Sequence, residues 1–202
     1  FRDVNAPSKA FGELVEARRH TPFIEPADLQ RRIDAGDDLV VLDARRFDEY
    51  QTMSIPTGRS LPNGELALRV RDAAPSPDTL VVVNCAGRTR SIIGTQSLIN
   101  AGIPNPVTAL RNGTIGWTLA GQTLDHGASR RFSPTDLAHQ AESAAAARDV
   151  ATRAGVRFIR LHDLPSLLAE SFRTTHVLDV RTPEEYLHGH LPGATSAPGG
   201  QL

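Results

Sequence analysis

The sequence has very little of three things: cysteine, long apolar runs and net charge. Cys85 is the single cysteine in 202 residues, which excludes an internal disulfide and a zinc site built on two thiolates. The longest aliphatic run, at 80–83, has only four residues, whereas a membrane span needs about 20. The net charge of −1 gives nucleic acid no electrostatic attraction. We therefore expect a soluble, cytoplasmic chain with neither a nucleic-acid nor a membrane partner.

An internal repeat is the main feature that is present. Residues 41–66 return at 177–202 without a gap, with eleven of the 26 positions identical. The best-preserved part is the pattern Asp-x-Arg followed by Glu-Tyr, at 43–50 and again at 179–186. Repeats of this kind indicate a structural unit that occurs more than once. The second copy stops with the chain, so we expect one complete unit and the opening part of another, in a piece of a longer protein.

Aliphatic runs and helical patterns alternate within the complete unit. Leu39–Leu42 and Leu80–Val83 are short and continuously apolar, which is typical of strands that are buried on both faces. Pro26, apolar spacing and Gly36 predict a helix at 26–35. We predict further helices at 66–73 and at 91–101, the second of them closed by Gly102. This alternation predicts an α/β fold with a short, mostly parallel central sheet of about five strands flanked by helices.

These patterns divide the chain into four segments. Residues 1–20 are polar without clear periodicity, and we interpret them as a linker or the tail of a preceding domain. The complete domain is assigned to 21–127 and the N-terminal part of a second domain to 156–202. At 128–155, Ser133-Pro134 suits the start of a connecting helix. Since about 45 residues rarely bury a stable core alone, we expect further chain, docking on the first unit or exchange with another copy to complete the second.

The stretch that follows the second aliphatic run carries the candidate chemistry. Cys85 follows this run after one residue, and Gly87, Arg88 and Arg90 stand between it and the next predicted helix. Ligands of open α/β sheets gather beyond the carboxyl ends of the strands, and a helix N-terminus favours an anion. A thiol in such surroundings ionises more readily, so we expect Cys85 to be substantially thiolate and nucleophilic at neutral pH. The alternatives are a small buried apolar residue and solvated arginines; we favour anion recognition, with Arg90 ahead of Arg88.

Together these motifs resemble the rhodanese sulfurtransferases, over about residues 20–125 and 156–202. The second copy has the family's upstream motif almost in full, whereas the first has Thr52-Met53-Ser54-Ile55 where Gly-His is expected. The segment Leu110–Gly113, followed by Trp117, resembles the family's closing Gly-Gly…Trp segment with one glycine replaced. The resemblance implies the rhodanese-like α/β fold, and it implies further rhodanese-like domains in the same chain as partners.

The resemblance also implies a chemistry for Cys85. It would be the nucleophile that takes a sulfane sulfur from a donor such as thiosulfate, holds it as a persulfide and passes it to cyanide or a thiol. No separate cofactor is then required, because the sulfur is carried covalently. The loop that would cradle the sulfur consists of Ala86, Gly87, Arg88, Thr89, Arg90 and Ser91. The commonest family pattern places glycine where Arg88 stands, which leaves the donor preference and the loop conformation open.

Loop length separates sulfur transfer from its nearest rival. Phosphatases and arsenate reductases of the same superfamily place five residues between cysteine and arginine, whereas four separate Cys85 from Arg90. The smaller loop suits one sulfur atom better than a tetrahedral oxyanion, and no Asp lies in or just after it to serve as a leaving-group acid. We favour sulfur transfer. A binding or regulatory domain without turnover is the alternative, motivated by Arg88 and by the missing Gly-His.

Other candidate residues have structural explanations. We interpret Asp43, Arg45 and Glu49 as a buried or semi-buried group that fixes the corner between a strand and a helix, rather than as catalytic residues. Trp117 either walls the site or belongs to the core. The pair in His188-Gly189-His190 lacks the further ligands that a metal needs, so no metal is predicted.

Overall fold

The computed structural model describes residues 7–132 and 135–199. Its main sheet consists of β1 (Phe23–Ile24), β2 (Leu39–Asp43), β3 (Arg59–Ser60), β4 (Leu80–Asn84) and β5 (Val107–Leu110). All pairings are parallel, in the order β1-β5-β4-β2-β3. The predicted α/β class and the parallel five-stranded sheet are confirmed. Because the strands run the same way, their carboxyl ends share one edge of the sheet.

Helices cover both faces of this sheet. They are α1 (Pro7–Arg19), α2 (Pro26–Ala35), α3 (Phe47–Thr52), α4 (Leu66–Ala73), α5 (Thr89–Asn100) and α6 (Gly113–Leu119), with a 3-10 turn at Asn63–Glu65. The bounds of α2 and α4 match the prediction, and α5 begins two residues earlier than predicted. Across the residues that the structure describes, no helix has the length and apolarity required to cross a membrane.

The core has two halves, one on each side of the sheet. Val81 and Val83 point to one face and pack with residues of α4 and α5 such as Val70. Val82 points to the other face, where Leu29 of α2 belongs to the same cluster. Successive residues of a strand alternate between faces, so a strand buried on both sides is continuously apolar. That is why these strands were recognisable in the sequence.

Helix α1 occupies residues for which the sequence predicts only a linker or tail. It lies along α5, and Arg88 of the cysteine loop forms ion pairs with Glu16 and Glu13. Gly12 is buried against Thr89, where a Cβ at Gly12 would come within 2.9 Å of Thr89 Cγ2. The contact uses a glycine and charged groups rather than apolar side chains, so hydrophobic periodicity gives no signal for it.

The connecting helix α7 (Leu137–Arg153) begins later than predicted. The predicted cap at Ser133-Pro134 lies outside the described residues, and Asp136 supplies the cap by accepting an N–H of the first turn over 2.8 Å. The helix packs on α4, where the Ser143 hydroxyl donates to the backbone of Leu68 over 3.1 Å. The connection therefore lies on the first unit along part of its length.

The second unit repeats the start of the first in reduced form. After α8 (Leu164–Leu168), strands β6 (Leu178–Asp179) and β7 (Thr195–Ser196) pair in parallel around α9 (Pro183–His188). It contacts the first unit at Gly199, which lies next to Gly64; a Cβ added to Gly199 would be 3.6 Å from the Gly64 Cα. Completion of this unit by further chain or by exchange between copies stays a prediction.

Candidate active site

Cys85 lies at the carboxyl edge of the main sheet, directly after β4. Its side chain is buried, with 2% of the residue exposed. Its Sγ is 3.5 Å from the Ser91 hydroxyl, which in turn donates to the backbone oxygen of Arg88 over 2.8 Å. The structure thus brings together the strand end, the thiol, the loop and the start of α5 in the order that the sequence predicts.

The N-terminal turn of α6 fixes the backbone of the cysteine loop. The Thr114 N–H donates to the Cys85 carbonyl over 2.9 Å, and the Ile115 N–H donates to the Ala86 carbonyl over 3.1 Å. Gly113 has a φ of +55°, and a Cβ there would overlap the Cys85 carbonyl oxygen, so only glycine fits. These donors were not identified from the sequence; the segment that ends at Gly113 was the only signal of them.

The N–H groups of the loop are free for a ligand. Between Ala86 and Arg90, none of them has a hydrogen-bond partner in the described part of the chain, as is normal for the first turn of a helix. Gly87 does not adopt a positive φ, and a Cβ at this position would meet open space. Arg88 takes φ −131° and ψ −50°. The loop conformation therefore needs no glycine at either position.

Arg90 forms a bidentate ion pair with Glu49 of α3. Its two terminal nitrogens each donate to one carboxylate oxygen over 2.8 Å. This bond lowers the pKa of Glu49 below its usual range and raises that of Arg90, to which the nearby Cys85 also contributes. Glu49 also accepts a hydrogen bond from the Arg46 N–H over 3.4 Å at the start of α3. It therefore joins the corner to the cysteine loop through Arg90, a contact that the sequence did not predict.

Arg88 points in another direction. Its guanidinium pairs with Glu16 and lies 3.7 Å from Glu13, both on α1. Of the two arginines considered for anion recognition, Arg88 is thus held by two carboxylates of a neighbouring helix. Arg90 remains close enough to Cys85 for their charges to interact.

Asp43 and Arg45 form a buried ion pair at the end of β2, with side chains that are 2% and 3% exposed. Arg45 Nε donates to Asp43 Oδ1 over 2.8 Å, and a terminal nitrogen donates to Oδ2 over 2.7 Å. Asn84 Nδ2 donates to Asp43 Oδ2 over 3.0 Å. Asn84 was missed from the sequence, although a polar residue that ends an aliphatic strand directly before Cys85 is a usable signal. It ties the strand that precedes the cysteine to the buried corner.

Trp117 belongs to the core rather than to the wall of the site. It is fully buried on the α2 side of the sheet, in a cluster with Leu29 and Val82. Its indole N–H donates to the Thr123 carbonyl over 2.7 Å. The structure therefore selects the second of the two roles that the sequence left open.

The two histidines of the second unit bond to backbone oxygens. His188 Nδ1 lies 2.9 Å from the Glu184 carbonyl, and His190 Nδ1 lies 2.9 Å from that of Tyr186. The His190 ring also stacks on the Tyr186 ring, with centroids 3.8 Å apart. Over residues 7–132 and 135–199, no three His, Cys, Asp or Glu side chains cluster as a metal site would require.

Comparison with known proteins gives a family match and relatives of different kinds. The model of the family described as rhodanese-like domain matches residues 25–120. The crystal structure of a thiosulfate sulfurtransferase from Pseudomonas aeruginosa is 65% identical, with a TM-score of 0.97 over 100% of this chain and 38% of that one. An HTH-type transcriptional regulator of Mycobacterium tuberculosis is 32% identical over 105 residues, 52% of this chain and 45% of that protein.

A more distant structure agrees in fold. A protein of unknown function from Rhodopseudomonas palustris, described as a possible tyrosine phosphatase, is 24% identical, with a TM-score of 0.50 over 60% of this chain and 96% of that one. At this identity the likeness concerns the fold alone. The chain spans less than half the length of both the Pseudomonas and the Mycobacterium relatives.

Proposed function

Because residues 25–120 match the model of the rhodanese-like domain, we propose that this chain is a sulfurtransferase that carries a sulfane sulfur on Cys85. The observation that supports this most is the position of Cys85, at the end of β4 and before a loop whose N–H groups are unpaired. Such N–H groups at a helix N-terminus stabilise negative charge. The charge of a thiolate or of a persulfide would lie there.

The first half of the proposed reaction loads the cysteine. The Cys85 thiolate attacks the outer sulfur of thiosulfate, a new S–S bond forms, and the S–S bond of the donor breaks. Sulfite leaves with the electron pair of that bond. Arg90, which lies beside Cys85 and pairs with Glu49, would face the anionic donor.

The second half unloads it. A nucleophile such as cyanide or a thiolate attacks the outer sulfur of the persulfide, and Cys85 leaves as a thiolate. Cyanide yields thiocyanate, and a thiol yields its own persulfide. The Ser91 hydroxyl, 3.5 Å from Sγ, is placed to donate a hydrogen bond to the thiolate when it turns from the Arg88 carbonyl.

Two further observations support sulfur over phosphorus as the transferred element. Four residues separate Cys85 from Arg90, and the thiol at the base of this small loop is only 2% exposed. In addition, the relative that is 65% identical is itself described as a thiosulfate sulfurtransferase. Thiosulfate is therefore our proposed donor for this chain.

The proposal is tested by thiosulfate:cyanide transfer, with thiocyanate formation as the readout. We expect turnover in the intact chain and none in Cys85→Ser, because a hydroxyl at that position cannot hold the sulfur. A circular dichroism spectrum of the variant controls for folding. Turnover that survives Cys85→Ser would reject the mechanism. If turnover is absent and Cys85 also reacts slowly with iodoacetamide at neutral pH, a binding domain without turnover would be favoured.

A further inference from the structure

A cleft of about 540 Å³ lies between the first unit and the second. It is walled by equivalent positions of the two copies, 136 residues apart, which face each other across it. Three such pairs are Ala44 and Val180, Phe47 and Pro183, and Ser60 and Ser196. The carboxyl ends of β2 and β3 thus lie near those of β6 and β7, and both copies line the cleft.

The cleft reaches the cysteine loop. Arg90, the fifth residue of the loop that begins at Ala86, is part of its lining. Its volume is within the range of roughly 300–1,000 Å³ that is typical of small-molecule sites. It is far larger than cyanide or thiosulfate needs, so its dimensions suit a larger reactant of the same cysteine.

The charged side chains that line the cleft indicate which kind of small molecule could bind there. On the first wall, the Arg131 guanidinium lies 3.4 Å above the Phe47 ring and has no carboxylate partner among the described residues. On the second wall, Glu184 has no ion pair within the same part of the chain. The other charged groups of the lining are held in ion pairs with neighbouring side chains. One available cation therefore stands on one wall and one available anion on the other.

We propose that this cleft binds the sulfur acceptor and that the acceptor is a small zwitterionic thiol, an inference that rests on the sulfurtransferase function proposed above. Its carboxylate is bound by Arg131 and its ammonium group by Glu184, with the thiol directed to Cys85. The thiolate attacks the outer sulfur of the Cys85 persulfide, the persulfide S–S bond breaks, and Cys85 leaves with the electron pair. The second unit thus contributes to acceptor selection without a cysteine of its own.

The first test compares glutathione, a zwitterionic thiol, with cyanide as acceptors for the whole chain. In Arg131→Ala and in Glu184→Gln we expect the ratio of glutathione to cyanide turnover to fall about fivefold, the size of a partly exposed charge pair. Arg148→Ala, on the exposed side of α7, is the matched control and should keep the ratio of the parent chain. Equal ratios in all three variants would overturn the proposal.

The second test separates this inference from the sulfurtransferase proposal. Cys85→Ser, which cannot turn over, is titrated with glutathione and followed by NMR. We expect shifts at Ser60 and Ser196, on opposite walls, that Arg131→Ala in the same background weakens about fivefold. Binding there without sulfur transfer in the parent chain would reject the transfer and keep the site. Absence of binding would overturn the site even if transfer to cyanide proceeds.

Discussion

The corner between a strand and a helix occurs twice in this chain, at Asp43–Arg45 and at Asp179–Arg181. The Nε of the arginine donates to Oδ1 of the aspartate over 2.8 Å in the first copy and over 2.9 Å in the second. The backbone N–H of the arginine donates to the same oxygen over 3.1 Å in both. In each copy a tyrosine hydroxyl then bonds to a carbonyl eight residues further on, over 2.8 and 2.9 Å.

The surroundings of the two corners differ as much as their bonds agree. Leu42 is fully buried, whereas Leu178, its counterpart, is 44% exposed. The Arg45 side chain is 3% exposed and that of Arg181 is 46% exposed. The corner is therefore a local structure that its own residues specify, and it forms without a core around it. Burial changes how much the ion pair contributes to the free energy of unfolding, but it does not change the geometry of the pair.

A second difference concerns the glutamate of the motif. In the second copy, Glu185 is fully engaged in the helix cap of Thr182, with two bonds of 2.9 Å to it. The first copy has Arg46 instead of threonine, and Glu49 lies 3.4 Å from its N–H. Glu49 also pairs with Arg90. The carboxylate of the first copy therefore contacts both the start of α3 and the cysteine loop.

The largest expected difference is in the free energy of unfolding, between a variant that breaks the ion pair of the first copy and one that breaks the ion pair of the second. Arg45→Ala leaves the Asp43 carboxylate buried without its guanidinium, which should cost about 3–5 kcal/mol of unfolding free energy. Arg181→Ala removes a half-exposed partner and should cost far less, because an exposed ion pair adds little to the free energy of unfolding. Urea unfolding followed by Trp117 fluorescence measures the first, because the single tryptophan lies in the core of the first unit. Far-ultraviolet circular dichroism, which also covers the helices of the second unit, measures the second. Similar losses in the two variants would contradict the role given to burial.

A smaller effect is expected from the two glutamates. Glu49→Gln removes a negative charge from Arg90, so the KM for the thiosulfate dianion should fall about threefold at low salt and less at high salt. Glu185→Gln is the matched control, because its carboxylate serves the cap of α9. Steady-state kinetics at two salt concentrations measure this. An unchanged KM in Glu49→Gln, or the same change in both variants, would argue against a separate task for Glu49.

The smallest effect is a local one at the exposed corner. The bond from Arg181 lowers the pKa of Asp179 from 3.8 to about 2. A carboxylate with a lowered pKa contributes its stability above the ordinary value and loses it as the pH falls toward the lowered one. We therefore expect the Asp179 carboxyl to be mostly ionised at pH 3 in the parent chain and mostly protonated in Arg181→Ala. Carboxyl carbon shifts in NMR report this directly, and a protonated Asp179 at pH 3 in both would contradict it.

Much of the fold could be predicted because its signals are local. The aliphatic runs of β2 and β4 are continuous since both faces are buried, and Gly36 ends α2 with a φ of 71° as the sequence indicates. The two-residue strands β1 and β3 are too short to show any periodicity. Helix α1 was missed because the buried Gly12 and the ion pairs with Arg88 leave no hydrophobic pattern in the sequence.

The sequence predicts Cys85 and its loop, but not the contacts that join this loop to α3 and α6. Cys85 and its loop follow from one stretch of sequence between a strand and a helix. The pairing of Arg90 with Glu49 joins residues 41 positions apart, and Glu49 belongs equally well to the corner motif in sequence. The N–H donors of α6 reach the loop only after β4 and β5 have paired. These contacts depend on the folded topology, which residue spacing alone does not contain.

We propose that Cys85 of the first copy carries the transferred sulfur. The most direct test is the intact mass of the chain after incubation with thiosulfate and removal of the excess, followed by peptide mapping. We expect an added mass of one sulfur atom, located on the peptide that contains Cys85, lost on treatment with cyanide and absent from Cys85→Ser. An unmodified mass in the parent chain, or an adduct that persists in Cys85→Ser, would contradict it.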